Sequence, residues 1–333
     1  MIQERHLMSS TITGHDSSSV VSGQMSVVVR RSSLVIGTRA SKLALVQTHM
    51  IREELLMAHA DLTVAVEHIT TKGDLILDRP LSAIGDKGLF VTEIEDALRA
   101  GRIDLAVHSA KDLPSELPPD MLLAAFPPRA DARDALIARD RMRLVDLPEG
   151  AQVGTSSMRR ACQLRHLRPD LRISDLRGNV DTRLRKLHEG QYDAIVLAAA
   201  GLERLGWGGE ISEYLAPSVM LPAVSQGILG IEIRAGDEAT AALLATLDDP
   251  AARVAATAER AFLARIGGGC QVPIGAYAQL SGATLTLAGL IGARDGRVVR
   301  GELAGPANDP AAIGTRLADD LLDHGGRALL GAV

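Results

Sequence analysis

The chain has 333 residues, 46% of them hydrophobic, with a formal net charge of -5 at pH 7. That length allows two or three domains around a sizeable core. The charge excludes a general pull toward nucleic acid, the 2% aromatic content leaves few platforms for stacking bases, and no uninterrupted apolar run is long enough to span a bilayer.

Residues 1–31 read as a disordered tail. Residues 11–26 are rich in Ser, Gly and Thr, without an apolar period. They contain no signal-peptide h-region. Residues 27–31 leave room for a short extra strand, and Met25 is an alternative start.

From Leu34 onward the pattern alternates between strand and helix. Residues 34–37 form a short apolar run, read as a buried strand. Ser41 is a candidate N-cap for a helix with Leu43, Val46, Met50 and Met57 at helical spacing. Leu62, Val64 and Val66 alternate as in a strand. Phe90, Ile94, Ala97 and Leu98 mark a helix that Gly101 ends, and residues 103–107 a further buried strand. The proline-rich stretch 114–128 breaks the pattern. A second rhythm follows: strand 152–155, helix 157–167, strand 172–176, a helix after Asn179, and strand 194–197. Residues 228–233 read as a strand returning to the first lobe. The two lobes would then be joined twice, near 130–134 and 221–227, as a hinged clamp. A third unit begins near Pro250 with a helix over 251–266. Strands 284–291 and 297–303 and a closing helix over 310–324 complete it. The fold class is α/β in three domains: 32–130 plus 226–246, 131–225, and a small α+β domain over 247–333.

Three constellations stand out. Cys270 lies in Gly267-Gly268-Gly269-Cys270-Gln271-Val272-Pro273. A glycine tether leaves a thiol approachable. It suits either an ordinary loop cysteine or a nucleophile or attachment point. With Cys162 it makes no disulfide framework or zinc spacing, and no metal site is expected. Such cysteine usage fits a reducing cytoplasm.

Arginine is the second. The chain has 31 Arg and 5 Lys. Thr155-Ser156-Ser157-Met158-Arg159-Arg160, Leu176-Arg177-Gly178-Asn179 with Arg183, and Gly37-Thr38-Arg39-Ala40-Ser41 all sit at expected strand-to-helix turns. Helix N-termini favour anions, guanidinium forks add bidentate carboxylate recognition, and ligands of open α/β sheets bind at strand C-termini. A solvated basic face is the plainer alternative. The third constellation is His108-Ser109-Ala110-Lys111-Asp112-Leu113-Pro114, also after a buried strand. Asp112 suits an Asx turn before Pro114, or a general acid/base and counter-charge.

Taken together, these segments resemble the porphobilinogen deaminase (hydroxymethylbilane synthase) family. So do Thr71-Lys72-Gly73-Asp74, Gly85-Asp86-Lys87-Gly88-Leu89-Phe90 and Leu221-Pro222-Ala223-Val224-Ser225-Gln226-Gly227. The likeness runs in order from Leu34 to the C-terminus. Ser225 and Asp86 depart from it, standing where glycine is often expected.

The resemblance implies two lobes like those of periplasmic binding proteins and a third domain bringing Cys270 to their cleft. It implies a dipyrromethane cofactor bound covalently to Cys270. Porphobilinogen, a pyrrole with acetate, propionate and aminomethyl groups, would be the substrate. Four molecules would be joined head-to-tail with loss of ammonia, through an azafulvene that the chain's free α-carbon attacks. Water would then release hydroxymethylbilane, for haem biosynthesis. By the same resemblance Asp112, Arg39 and Arg177 are catalytic. Ser109, Lys111, Thr155, Ser157, Arg159, Arg160 and Gly227 contact the cofactor. Arg39, Ser41, Arg177, Arg183, Arg204 and Gln226 bind substrate. Lys87 and Phe90 belong to a loop over the site. A cytoplasmic monomer with no nucleic-acid or membrane partner is expected. A non-enzymatic two-lobed anion-binding protein is the rival, but it gives the tethered cysteine no purpose. A cysteine hydrolase would need a histidine partner, which sequence does not place.

Overall fold

The computed structural model describes residues 31–75, 91–267 and 272–331. Residues 1–30 of the expected tail, Asp86, Lys87, Phe90 and Cys270 lie outside the described residues. Arg31 is described and pairs with Asp104 at 2.8 Å and Asp237 at 3.1 Å, so the folded chain includes the residue expected to end the tail.

The chain opens with β1 (Ser33–Thr38), α1 (Lys42–Ala58), β2 (Thr63–His68), the short α2 (Lys72–Leu75), α3 (Thr92–Arg99), β3 (Leu105–Ser109) and β4 (Met121–Ala125). It continues through β5 (Asp134–Ala138), β6 (Gln152–Gly154), α4 (Met158–Leu167), β7 (Arg172–Ser174), α5 (Val180–His188), β8 (Ala194–Ala198), α6 (Ala199–Arg204) and β9 (Glu213–Leu215). Then come β10 (Leu229–Arg234), α7 (Glu238–Leu244), α8 (Pro250–Ile266), β11 (Ile274–Ser281), β12 (Thr284–Gly292), β13 (Val298–Pro306), α9 (Pro310–Leu321) and α10 (Arg327–Leu330).

Two five-stranded sheets have matching plans, β2-β1-β3-β10-β4 and β7-β6-β8-β5-β9. In each, three parallel strands meet one antiparallel strand that has crossed from the other lobe. β10 runs against β3 and β4, and β5 runs against β8 and β9. The third sheet is the antiparallel β11-β12-β13. Helices α8 and α9 cover it. Gly314 lets α9 approach α8 closely, since a Cβ there would lie 2.2 Å from the Ala258 carbonyl oxygen. Its core is continuous with Ala110, Leu113, Val224 and Ile228 beside the lobes.

The sequence pattern misplaces some faces. α1 buries Gln47, Thr48, Ile51 and Leu55, while Met57 is 78% exposed. The same end of α1 packs Leu55 and Leu56 into the first-lobe core, so Met57 is exposed because it lies off the buried stripe. The stretch 114–128 is not merely a break, because β4 lies inside it. As an edge strand, β4 tolerates flanking prolines. The short β9, the apolar β5 and the long β11 are further strands that spacing did not announce.

The two crossings lie side by side. Ala130 N donates to Gly227 O at 3.2 Å, and a Cβ at Gly227 (φ +88) would sit 2.5 Å from Ala130 O. Glu259 of α8 fastens this joint. Its buried carboxylate accepts from Arg129 at 2.6 Å, Ser225 N at 2.5 Å and Ala278 N at 2.8 Å.

Ser225 carries a cost at this joint. Its φ is +58, a left-handed conformation costing about 1–2 kcal/mol for a residue with a Cβ. Its buried hydroxyl has no hydrogen-bond partner. Ser225→Gly should therefore stabilise the protein by about 1 kcal/mol, raising the thermal midpoint by roughly 2 °C. A lower midpoint in a melting experiment would show that the hydroxyl is needed there.

Candidate functional site

The site is assembled from strand C-termini, where loops and helix N-termini converge. β1 delivers Arg39 and Ser41, whose hydroxyl caps α1 by accepting from Ala44 N. β3 delivers Ser109, Lys111 and Asp112. β6 leads to Arg160, β7 to Arg177 and Arg183, and β8 through α6 to Arg204. All of these line one cavity of about 330 Å³ between the lobes, together with Gly227. Lys42 adds a further cation, and the carboxylates on the wall are Asp112 and Asp181.

Several expected residues stand behind that wall. Thr155 and Ser157 shape the turn into α4, Ser157 N donating to Thr155 Oγ1 and Ser157 Oγ accepting from Arg160 N. Gln226 is wholly buried. It donates to Ala132 O at 2.8 Å and Asp134 Oδ1 at 3.0 Å, and accepts from Lys111 Nζ at 3.4 Å. Arg159 does not line the cavity either. It donates to Asp134 Oδ2 at 2.7 Å and Leu221 O at 2.6 Å.

Asp134 is the residue sequence reasoning passed over. It was only the end of a connecting segment, yet it is fully buried at the start of β5. Arg159 and Arg160 both pair with it, the latter through Nε at 2.9 Å. Burial alone would raise its pKa. The two arginine charges and the bonds from Arg159 and Gln226 outweigh burial and hold its carboxyl well below the usual range. An acid opening the apolar run Ala135-Leu136-Ile137-Ala138 was the available signal. Gln47, which donates to Ser109 Oγ at 3.0 Å, and Trp207 were also missed.

The wall carries more positive charge than it can satisfy. Burial, then the neighbouring Arg160 charge, lowers the Arg183 pKa to about 10. Burial does the same to Arg204. Lys111 is lowered to about 8, chiefly by burial, with Asp112 opposing. Among the described residues, buried donors remain without partners: Arg177 Nη2, Arg204 Nε and, behind the wall, Arg159 Nε. Orphaned guanidinium nitrogens beside a cavity fit a polycarboxylate ligand. The carboxylate of Asp112 is exposed and bonds no described group, so no Asx-turn hydrogen bond engages it.

Residues 34–242 match the family model described as porphobilinogen deaminase, dipyromethane cofactor binding domain. Residues 254–323 match the porphobilinogen deaminase C-terminal domain. The chain belongs to the porphobilinogen deaminase family. It is 72% identical over 300 residues to the porphobilinogen deaminase of Roseiflexus sp. (strain RS-1), covering 90% of this chain and 99% of that one. It is 52% identical over 303 residues to that of Syntrophotalea carbinolica, covering 91% and 96%. Among solved structures, the aliphatic sulphonate binding protein SsuA of Escherichia coli aligns over 70% of each chain, with 17% identity and a TM-score of 0.38. That likeness is too distant to bear on the site. Family membership makes the chain an enzyme of tetrapyrrole biosynthesis and sets aside the non-enzymatic alternative.

Removing the Asp134 charge should be costly, because two buried guanidinium groups lose their counter-ion. Asp134→Asn is expected to lose about 3–5 kcal/mol, read from urea unfolding. A loss below about 1 kcal/mol would show that the arginines find other partners.

Lys111 gives a pH signature. It attracts anions only when protonated, so its contribution is full below about 8 and fades above it. A bound carboxylate favours the ammonium and moves the step upward. Affinity for a small dicarboxylate, measured by calorimetry, should fall by up to about tenfold between neutral pH and about pH 9, before Arg183 and Arg204 lose much of their charge. Lys111→Gln should bind more weakly and lose that step. An unchanged step in the variant would assign it elsewhere.

Proposed function

We propose that this cleft grows a chain of porphobilinogen units on a dipyrromethane held through Cys270, and releases hydroxymethylbilane. The supporting observation is the pair of orphaned donors on the wall, Arg177 Nη2 and Arg204 Nε, with Arg159 Nε behind it, at a cavity with surplus positive charge. Pyrroles bearing acetate and propionate supply the missing acceptors. The segment that holds Cys270 is flanked by Gly267, which ends α8, and by β11. The start of β11 packs on the joint, Ala276 N donating to Pro222 O at 3.1 Å.

When bound, the dipyrromethane supplies the nucleophilic α-carbon on which the chain starts. In each addition the C–N bond of the aminomethyl group breaks and ammonia leaves with the electron pair. Coupling would form a C–C bond to the α-carbon of the bound pyrrole chain and release that carbon's proton. Of the two carboxylates on the wall, Asp112 is the one the family resemblance assigns to take that proton and to balance positive charge on the reacting pyrroles. Its exposure leaves it free to approach the rings.

Arg39, Arg177, Arg183 and Arg204 hold substrate carboxylates from the wall, with Ser41 beside them. Arg39 and Arg177 also orient the rings being joined. Arg160, Lys111 and Ser109 hold the cofactor's carboxylates next to Gly227. Arg159 contributes through its free Nε. Thr155, Ser157 and Gln226 set the positions of these groups. Lys87 and Phe90 are assigned to the loop over the site. We place the domain boundaries at 32–130 with 226–246, 131–225 and 247–333, which the three separate sheets support. The enzyme is proposed to act as a monomer. A cytoplasmic setting accords with the free, buried Cys162. No helix among the described residues is long and apolar enough to cross a membrane.

Intact mass tests the attachment. Wild type should carry the adduct, Cys270→Ser should lose it with most activity, and Cys162→Ser should keep both, since Cys162 is buried against the Arg297 carbonyl. An unmodified mass in active wild-type enzyme would exclude attachment. Asp112 is tested in protein already bearing the cofactor. Asp112→Asn should abolish turnover while substrate still binds. Asp112→Glu should keep some activity, about a hundredfold reduced by displacement of the carboxylate. Asn outperforming Glu would make Asp112 a turn former.

A further inference from the structure

One wall of the cavity is built differently from the rest. Trp207 is the chain's single tryptophan and, among the described residues, the one aromatic side chain on the cavity surface. It follows α6 in the second lobe. Lys42 opens α1 in the first lobe and holds its ammonium 4.7 Å from the indole centroid. Beside them Leu43 approaches Gly201, its Cδ2 lying 3.6 Å from where a Cβ would stand. The lobes therefore touch across the cavity at Lys42–Trp207 and Leu43–Gly201.

This contact contrasts with the joint. There the lobes are fixed by direct hydrogen bonds at the crossings, Gln226 Nε2 donating to the buried Asp134 carboxylate at 3.0 Å and Arg204 to the Gly227 carbonyl at 2.9 Å. Here they meet through an exposed lysine and an indole face, a weak interaction. Yet the cavity, at about 330 Å³, lies at the small end for a single drug-sized ligand, and the chain it holds grows. Enlargement proceeds where the wall yields most easily.

We infer that Trp207 and Lys42 form a subsite for the pyrroles added after the first, the ring packing on the indole and a carboxylate pairing with the ammonium. This rests on the proposed chain growth in the cleft. The chemistry is matched: a flat electron-rich ring suits an indole face, and each unit brings carboxylates. The order follows from occupancy. Arg177 and Arg204 offer donors that are already free, so the first ring goes to them. Lys42 and Trp207 occupy each other, and a ring enters between them only when the open donors are taken.

The experiment uses cofactor-loaded enzyme, checked by intact mass, given porphobilinogen in one-equivalent steps. Mass spectrometry reads the additions, and the single tryptophan reports on its surroundings. Emission should change at additions after the first. In Trp207→Leu and in Lys42→Met, the ratio of later to first addition rates should fall at least tenfold. Trp207→Phe, which keeps a flat ring, should recover most of it. A merely structural role would slow all additions alike and leave the ratio unchanged, overturning the subsite. So would an emission that stays constant while the mass ladder advances. If wild type shows no mass ladder, the reading of the cleft as the site of chain growth fails, and the subsite with it.

Discussion

The cleft depends on one buried carboxylate. Asp134 lies where the chain enters the second lobe, and it gathers Arg159, Arg160 and Gln226. Each partner then reaches elsewhere. Arg159 bonds the Leu221 carbonyl, Arg160 the Val196 carbonyl, and Gln226 the Ala132 carbonyl. One acid thus ties together both crossings, the start of α4 and the end of β8. Without it, two guanidinium groups would stand in an apolar interior with no counter-charge, which proteins avoid.

Asp134 offsets part of the local positive charge and leaves the remainder. Arg177, Arg183, Arg204 and Lys111 face the cavity with burial depressing several of their pKa values. Such groups are destabilised until an anion arrives, because solvent no longer screens them fully and protein acceptors are too few. The chain as a whole is acidic, with a net charge of -5. Its positive field is therefore a local property of the cleft, and the ligand completes the electrostatics that folding leaves open.

Much of this was legible in the sequence, for identifiable reasons. The turns at Arg39, Arg160 and Arg177 were readable because short apolar runs ended at hydroxyl and guanidinium side chains, and strand C-termini are where such sheets bind ligands. The return of 228–233 to the first sheet followed from its apolar run. What escaped depends on contacts between distant segments. Nothing local marks Asp134 as the partner of residues in the next helix. Arg159 and Arg160 are adjacent and look equivalent, yet only Arg160 reaches the cavity wall. Trp207 lies in a glycine-rich stretch without periodicity, so its place beside Lys42 comes from packing of the lobes. The face of α1 was misjudged because Met57 fits the helical period read from the sequence but lies off the stripe that is buried.

The double crossing also constrains how the molecule comes into being. β10 sits between β3 and β4 and bonds to both, but it is made only after the entire second lobe. During synthesis the first lobe therefore waits with an unfilled slot in its sheet, while the second lobe has all its strands by Leu215. Such long-range pairing is slow and leaves strand edges exposed meanwhile. The lobe that begins the chain is the later of the two to close, and its last strand arrives already attached to a finished neighbour.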